Sequence, residues 1–184
     1  MTTTAGEAST LALMRHAKSA WPDVPDHERP LARRGRRDAP AVGHWLRTAG
    51  YQPDQVLCST ARRARQTWEL ARPSLGTDPP ADFDRRLYQA SADQILDLIR
   101  RISPAISTLL IVGHDPGLPE LALALAAGAP PAVLDRMRAK FPTSAVAGFK
   151  CLGTWDQFRP ERARLVCFVT PRDLREPDAL GGMG

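Results

Sequence analysis

The chain has little of what marks the common redox, metal-binding and nucleic-acid-binding proteins. Its three cysteines, Cys58, Cys151 and Cys167, each fall inside an apolar stretch. An odd set without paired spacing argues against a disulfide framework and a zinc site, and predicts buried, inert thiols. Aromatic residues make up only 6% of the sequence, and none alternates with basic residues as a base-stacking platform requires. No apolar run approaches the roughly 20 residues that a membrane span needs. Met1 to Thr10 has neither a basic nor an apolar leader segment, so the expected compartment is the cytoplasm. The four histidines lack metal-ligand spacing such as H-E-x-x-H, and no G-x-x-x-x-G-K-[ST] loop occurs. No metal and no cofactor are expected.

What is present is a charged, apolar-patterned chain of 184 residues, 43% hydrophobic, with a net charge of +5. That length suits one domain, placed at residues 10–175, with flexible termini at 1–9 and 176–184. The positive charge raises the possibility of nucleic acid, but the arginines are not one stripe. They cluster at Arg33, Arg34, Arg36 and Arg37 and again at Arg62, Arg63 and Arg65, apart from Arg15. A compact anion such as phosphate suits this distribution better than a polynucleotide track.

Periodicity predicts alternating strands and helices. Strands are expected at Thr10–Met14, Gln55–Cys58, Phe83–Leu87, Leu109–Val112, Ala145–Leu152 and Leu165–Thr170. Helices are expected at Gly35–Ala49, stopped by Gly50, and at Ala61–Ala71, capped by Ser59 or Thr60. Ser91 and Gln94 form a capping box before Ile95, Leu98, Ile99 and Ile102, and Pro119 opens an apolar helix that stops at Gly128. The pattern predicts an α/β fold, a three-layer α/β/α sandwich around a largely parallel, mixed sheet. Ligands in such folds bind at the carboxyl ends of strands. Three polar clusters fall at those ends: Arg15-His16, Ser59 to Arg63, and His114.

Phosphoryl transfer needs a nucleophile and cationic donors for the phosphoryl oxygens. Arginine presents planar, paired donors that never lose their charge. An imidazole beside guanidinium groups stays unprotonated and nucleophilic. Arg15 and Arg63 are therefore candidate phosphate ligands, His16 the candidate nucleophile and His114 a second candidate catalytic group. Taken singly, each has a plainer reading: a loop Arg-His pair, a solvated helix face, a strand-end histidine. His27 and His44 are read as a loop and a helix histidine. Cys58 misses the cysteine-phosphatase spacing by one position, since Ala64 stands where arginine is required. No D-x-D follows the first strand.

The segments L-M-R-H-A-K-S (13–19), D-H-E-R-P-L (26–31), S-T-A-R-R-A-R-Q-T (59–67) and V-G-H-D-P-G-L (112–118) occur in that order. In them the chain resembles the histidine phosphatase, or phosphoglycerate mutase-like, superfamily, and within it the small SixA-type phosphohistidine phosphatases. The resemblance implies a phosphoglycerate mutase-like fold and a covalent phosphohistidine intermediate on His16. It implies phosphate binding by Arg15 and Arg63, and a pocket role for His114. Ser19 aligns with the small hydroxyl residue of the first motif and joins the phosphate-binding set.

Two departures stand out. Ala17 replaces the usual glycine after the first histidine. The stretch D-R-R-L-Y-Q-A-S (84–91) lacks the glutamate proton donor of larger members, and Asp82, Asp84 and Asp93 match no donor position. A pocket without an acid suits a histidine leaving group better than a sugar alkoxide. The expected partner is thus a phosphorylated substrate such as a phosphohistidine-bearing protein, with no nucleic acid and no membrane; no oligomeric state is predicted. The alternatives are a broad small-molecule phosphomonoesterase, with Asp84 or Asp115 as acid, and a phosphate- or phosphoprotein-binding module without turnover.

Overall fold

In the computed structural model, which describes residues 8–175, six strands form one mixed sheet. The elements run β1 (Ser9–Arg15), α1 (Arg33–Thr48), β2 (Gln55–Ser59), α2 (Arg62–Ala71), β3 (Ala81–Asp84) and α3 (Ala92–Ile99). They continue with β4 (Thr108–Gly113), α4 (Gly117–Leu125), α5 (Pro131–Ala139), β5 (Val146–Cys151) and β6 (Ala163–Val169). The strand order is β3-β2-β4-β1-β5-β6, with the first four parallel, β5 antiparallel to β1, and β6 antiparallel to β5. This is the α/β sandwich expected from the sequence.

The continuous apolar runs of the central strands follow from burial on both faces. Leu11, Leu13, Leu57, Leu109, Ile111 and Phe149 face a core shared with α3, α4 and α5. Their neighbours Ala12, Met14, Val56, Cys58, Leu110 and Val112 face a second core under α1 and α2. Side chains alternate sides along a strand, so one apolar run supplies both cores. Each fully buried leucine contributes about 1.5–3 kcal/mol relative to exposure. No described helix is long and apolar enough to cross a membrane.

Local signals behave as their chemistry dictates. After α1, Gly50 takes φ +79°, and the Gly50 and Tyr51 N–H groups return to the carbonyls of Arg47 and Leu46 at 3.2 and 2.8 Å. At α3 both halves of the Ser91–Gln94 capping box are formed. Gly35 lies so close to the segment after β1 that a Cβ there would meet the Lys18 carbonyl oxygen at 2.2 Å. Helix α1 therefore packs directly on the chain that follows His16.

Several expectations need correction. The third strand covers Ala81–Asp84, not Phe83–Leu87, because the Asp84 carboxylate accepts the Arg86 N–H and turns the chain out of the sheet. Leu87 is buried in that turn. Neither Ser59 nor Thr60 caps α2: the N-cap is Ala61, with no side-chain bond. Helix α5 carries no sequence expectation, since its single buried residue, Met137, leaves almost no periodic signal. Cys167 is half-buried, whereas Cys58 and Cys151 are buried; all three are free thiols. Ser9 belongs to β1, and residues 1–7 and 176–184 of the expected flexible segments lie outside the described residues.

Candidate active site

The parallel strands β1, β4 and β2 end level with one another, since Arg15 pairs with Gly113 and Cys58 with Val112. That register brings the three polar clusters to one cleft of about 240 Å³, whose lining includes Arg15, His16, Ser19, Arg63 and His114. The backbone around the dipeptide is held from several sides. The Arg15 and His16 N–H groups donate to the carbonyls of Ala145 and Gly113, both at 3.0 Å, and the Ser144 N–H donates back to the Arg15 carbonyl at 3.1 Å. The Ala17 N–H donates to Thr67 Oγ1 at 2.9 Å, and that hydroxyl donates to the Arg63 carbonyl at 2.6 Å. Gln66 Oε1 accepts the Leu31 N–H at 2.8 Å. The R-Q-T end of the third motif thus ties α2 to the loops after β1.

His16 is buried, and its surroundings fix its tautomer. Nδ1 lies 2.7 Å from the Ala17 carbonyl, an acceptor, so Nδ1 carries the proton. Nε2 lies 3.2 Å from the Arg63 Nε–H, a donor, so Nε2 presents its lone pair. Burial, then the neighbouring His114, Arg63 and Arg15, hold the His16 pKa well below its usual value against the bond to Ala17. The His114 ring lies 5.0 Å away. Burial, with Arg63 the next influence, pushes His114 down to about 3. Its Nε2 is 2.7 Å from Ser59 Oγ, which also accepts the Ala61 N–H at 3.3 Å. The other ring nitrogen of His114, Nδ1, is buried without a partner.

The two arginines are held differently. Arg15 Nη1 donates to the Phe141 carbonyl at 2.7 Å, and Nη2 pairs with Asp115 Oδ2 at 3.0 Å. Arg63 Nη1 donates to the Asp26 carbonyl at 2.6 Å and Nη2 to Asp26 Oδ2 at 3.0 Å. Asp26 Oδ2 also accepts the Tyr88 hydroxyl at 2.7 Å, while Oδ1 accepts from Arg29 Nη1 at 2.8 Å. Burial tends to raise the Asp26 pKa, but the Tyr88, Arg63 and Arg29 bonds prevail and hold it at about 2. Arg29 Nη2 donates to Ser19 Oγ at 2.5 Å. Ser19 therefore lines the cleft with its oxygen turned to Arg29.

Asp26, Arg29 and Tyr88 were missed as site residues. Asp26 and Arg29 stand in the D-H-E-R-P-L segment, where an Asp and an Arg three positions apart on a short turn were the available signal. Tyr88 carried none. His27, read as a loop histidine, meets Thr60 Oγ1 at 3.0 Å and packs edge-on against Tyr88. Arg62 and Arg65 point to solvent. Asp82 is bound by Gln55 and Asp84 by Arg86. Among the described residues no group of three or more His, Cys, Asp or Glu is placed to hold a metal ion. The arrangement sets an uncharged imidazole nitrogen against the Arg63 guanidinium, with Arg15 lining the same cleft.

A model of the histidine phosphatase superfamily, branch 1, matches residues 11–98. The SixA structure from Nakamurella multipartitia is 34% identical and covers 89% of this chain and 96% of that one, with a TM-score of 0.79. The chain belongs to the histidine phosphatase superfamily. An uncharacterized protein of Mycobacterium tuberculosis is 48% identical over 162 residues, 86% of this chain and 100% of that one. A protein histidine phosphatase SixA complexed with tungstate shares the fold, with a TM-score of 0.74 at 22% identity over 90% of this chain and 99% of that one. As a superfamily member, the chain has the phosphoglycerate mutase-like fold its motifs implied.

Proposed function

We propose that this protein is a metal-independent phosphatase that forms a phosphohistidine on His16 and acts on phosphohistidine in proteins. The observation that carries the reading is the His16 tautomer: Nδ1–H is spent on Ala17, and the Nε2 lone pair lies beside Arg63. In the first step Nε2 attacks phosphorus, the bond from phosphorus to the substrate imidazole breaks, and that ring, protonated on its other nitrogen, departs neutral with the electron pair. Arg15 and Arg63 hold the equatorial oxygens, and His114 donates to one of them as charge develops. In the second step water attacks phosphorus, the P–Nε2 bond breaks with its electron pair returning to Nε2, and the water proton passes to a phosphoryl oxygen, releasing inorganic phosphate. Ser19 contributes by holding Arg29 and through it Asp26.

The state of the acids supports a phosphohistidine substrate. Asp115, which lines the cleft, and Asp26, which holds Arg63, both pair with arginines, and Asp26 is held ionised. A leaving imidazole needs less proton assistance than an alkoxide. Tungstate, a phosphate-like oxyanion, in the SixA complex supports a phosphorylated substrate. Three free thiols fit a reducing cytoplasm.

The test is to incubate the protein with a labelled phosphohistidine peptide and trap an acid-labile phosphoenzyme. His16→Ala is expected to abolish labelling and lower kcat/KM by about 10⁴-fold or more. Turnover that survives this substitution, or efficient hydrolysis of sugar phosphates with phosphohistidine ignored, overturns the proposal.

A further inference from the structure

One feature at the mouth of the cleft takes no part in these steps. Trp21 lines the cleft, yet it is 77% exposed, the most exposed large apolar side chain among the described residues. Its position is not that of a loose loop residue. The Arg29 guanidinium lies 3.2 Å from the indole centroid. Arg29 is itself buried and tied down by Ala20, Asp26 and Ser19. One indole face therefore rests on an immobilised cation. Burying that indole elsewhere would be favourable, so its exposure at a catalytic rim points to an occupant.

We propose that Trp21 is a specificity-determining platform, stacking on a planar leaving group while the phosphoryl group sits between Arg15 and Arg63. The class of ligand is an unsaturated ring attached to phosphorus; resting on the function proposed above, that ring is the imidazole of the phosphohistidine. A flat ring gains offset stacking on the indole, whereas a flexible alkyl chain cannot match it. Arg29 links the platform to Asp26 and hence to Arg63, so ring and phosphoryl group are located by one network.

The test compares two pairs of substrates: phosphohistidine against phospholysine peptides, and phenyl phosphate against cyclohexyl phosphate. The readout is the ratio of kcat/KM for the planar over the aliphatic member. Trp21→Ala is expected to lower that ratio about three- to tenfold, mainly through KM, as expected for the loss of one aromatic pair. Trp21→Phe is expected to retain most of it. An unchanged ratio, or equal losses on both members, overturns the platform while phosphohistidine turnover leaves the function standing. Losses confined to peptides, whatever the leaving group, also overturn it in favour of a protein contact. A wild-type protein that hydrolyses phenyl phosphate but not phosphohistidine overturns the function, and the phenyl–cyclohexyl ratio then decides the platform.

Discussion

The two walls of the cleft hold equivalent side chains by unequal means. On one wall Arg15 meets a carbonyl and the half-exposed carboxylate of Asp115. On the other Arg63 is buried and locked into a network of Asp26, Arg29, Tyr88 and Ser19. Asp26 is about as exposed as Asp115, so the walls differ in bonding: a lone exposed ion pair contributes little and is screened by salt, whereas Asp26 shares its oxygens among Arg63, Arg29 and Tyr88. The Arg63 wall is thus preorganised around the His16 lone pair, and the Arg15 wall can exchange Asp115 for a ligand.

Breaking the strong wall is expected to have the largest effect. Arg63→Ala lowers kcat/KM about 10³-fold, and Arg15→Ala about 10²-fold, the range for removing one charged donor from a transition state. Steady-state kinetics on one substrate compares them, and equal losses would erase the distinction between the walls. Asp26→Asn keeps the shape but weakens the hold on Arg29 and Arg63. It is expected to cost about tenfold in kcat/KM and, because Asp26 is nearly half exposed, no more than about 1 kcal/mol of stability, read by urea unfolding.

The walls also differ in how they tune the nucleophile. Because the His16 pKa is depressed, the acid limb of kcat/KM is expected below the unperturbed value of about 6.5. Removing a nearby cation moves the limb up, more for Arg63→Met than for Arg15→Met, since Arg63 has the larger influence. Stability has the matching sign. His16 and His114 bind a proton more weakly folded than unfolded, so stability is full above about 6.5 and falls with pH below it. For His114 that loss continues toward about 3. Urea midpoints at several pH values check the slope, about 1.4 kcal/mol per pH unit for each histidine.

The weakest expected effect is on the looser wall. Asp115→Asn changes stability by less than about 1 kcal/mol and leaves phosphohistidine turnover within about threefold. A selective collapse of sugar-phosphate hydrolysis would instead make Asp115 the acid of a phosphomonoesterase. The same kinetic assay separates these outcomes.

Arg15, His16, Arg63 and His114 could be read from the chain because each sits at the end of an apolar strand or in the first turn after one. Strand period and burial on both faces are local consequences of composition, so β1, β2 and β4 were legible along with the clusters that follow them. β3 ended early because Asp84 turned back onto its own neighbour, a competition between a side chain and the sheet. Helix α5 buries one residue and left no period to detect. Ser59 looks like a helix cap in sequence, but in the fold it serves His114, a partner 55 residues away.

By itself the sequence determined the layered architecture, the strand ends and the residue types that can handle a phosphoryl group, all of which follow from near-neighbour patterns. Only the tertiary structure decided which nitrogen of His16 is unprotonated, that Asp26 is a clamp on two arginines, and that Trp21 stands exposed on one of them. Those properties depend on distances between residues far apart in the chain, such as the 3.2 Å from Arg63 Nε to His16 Nε2. Burial and hydrogen-bond geometry set protonation, and neither exists until the strands have aligned.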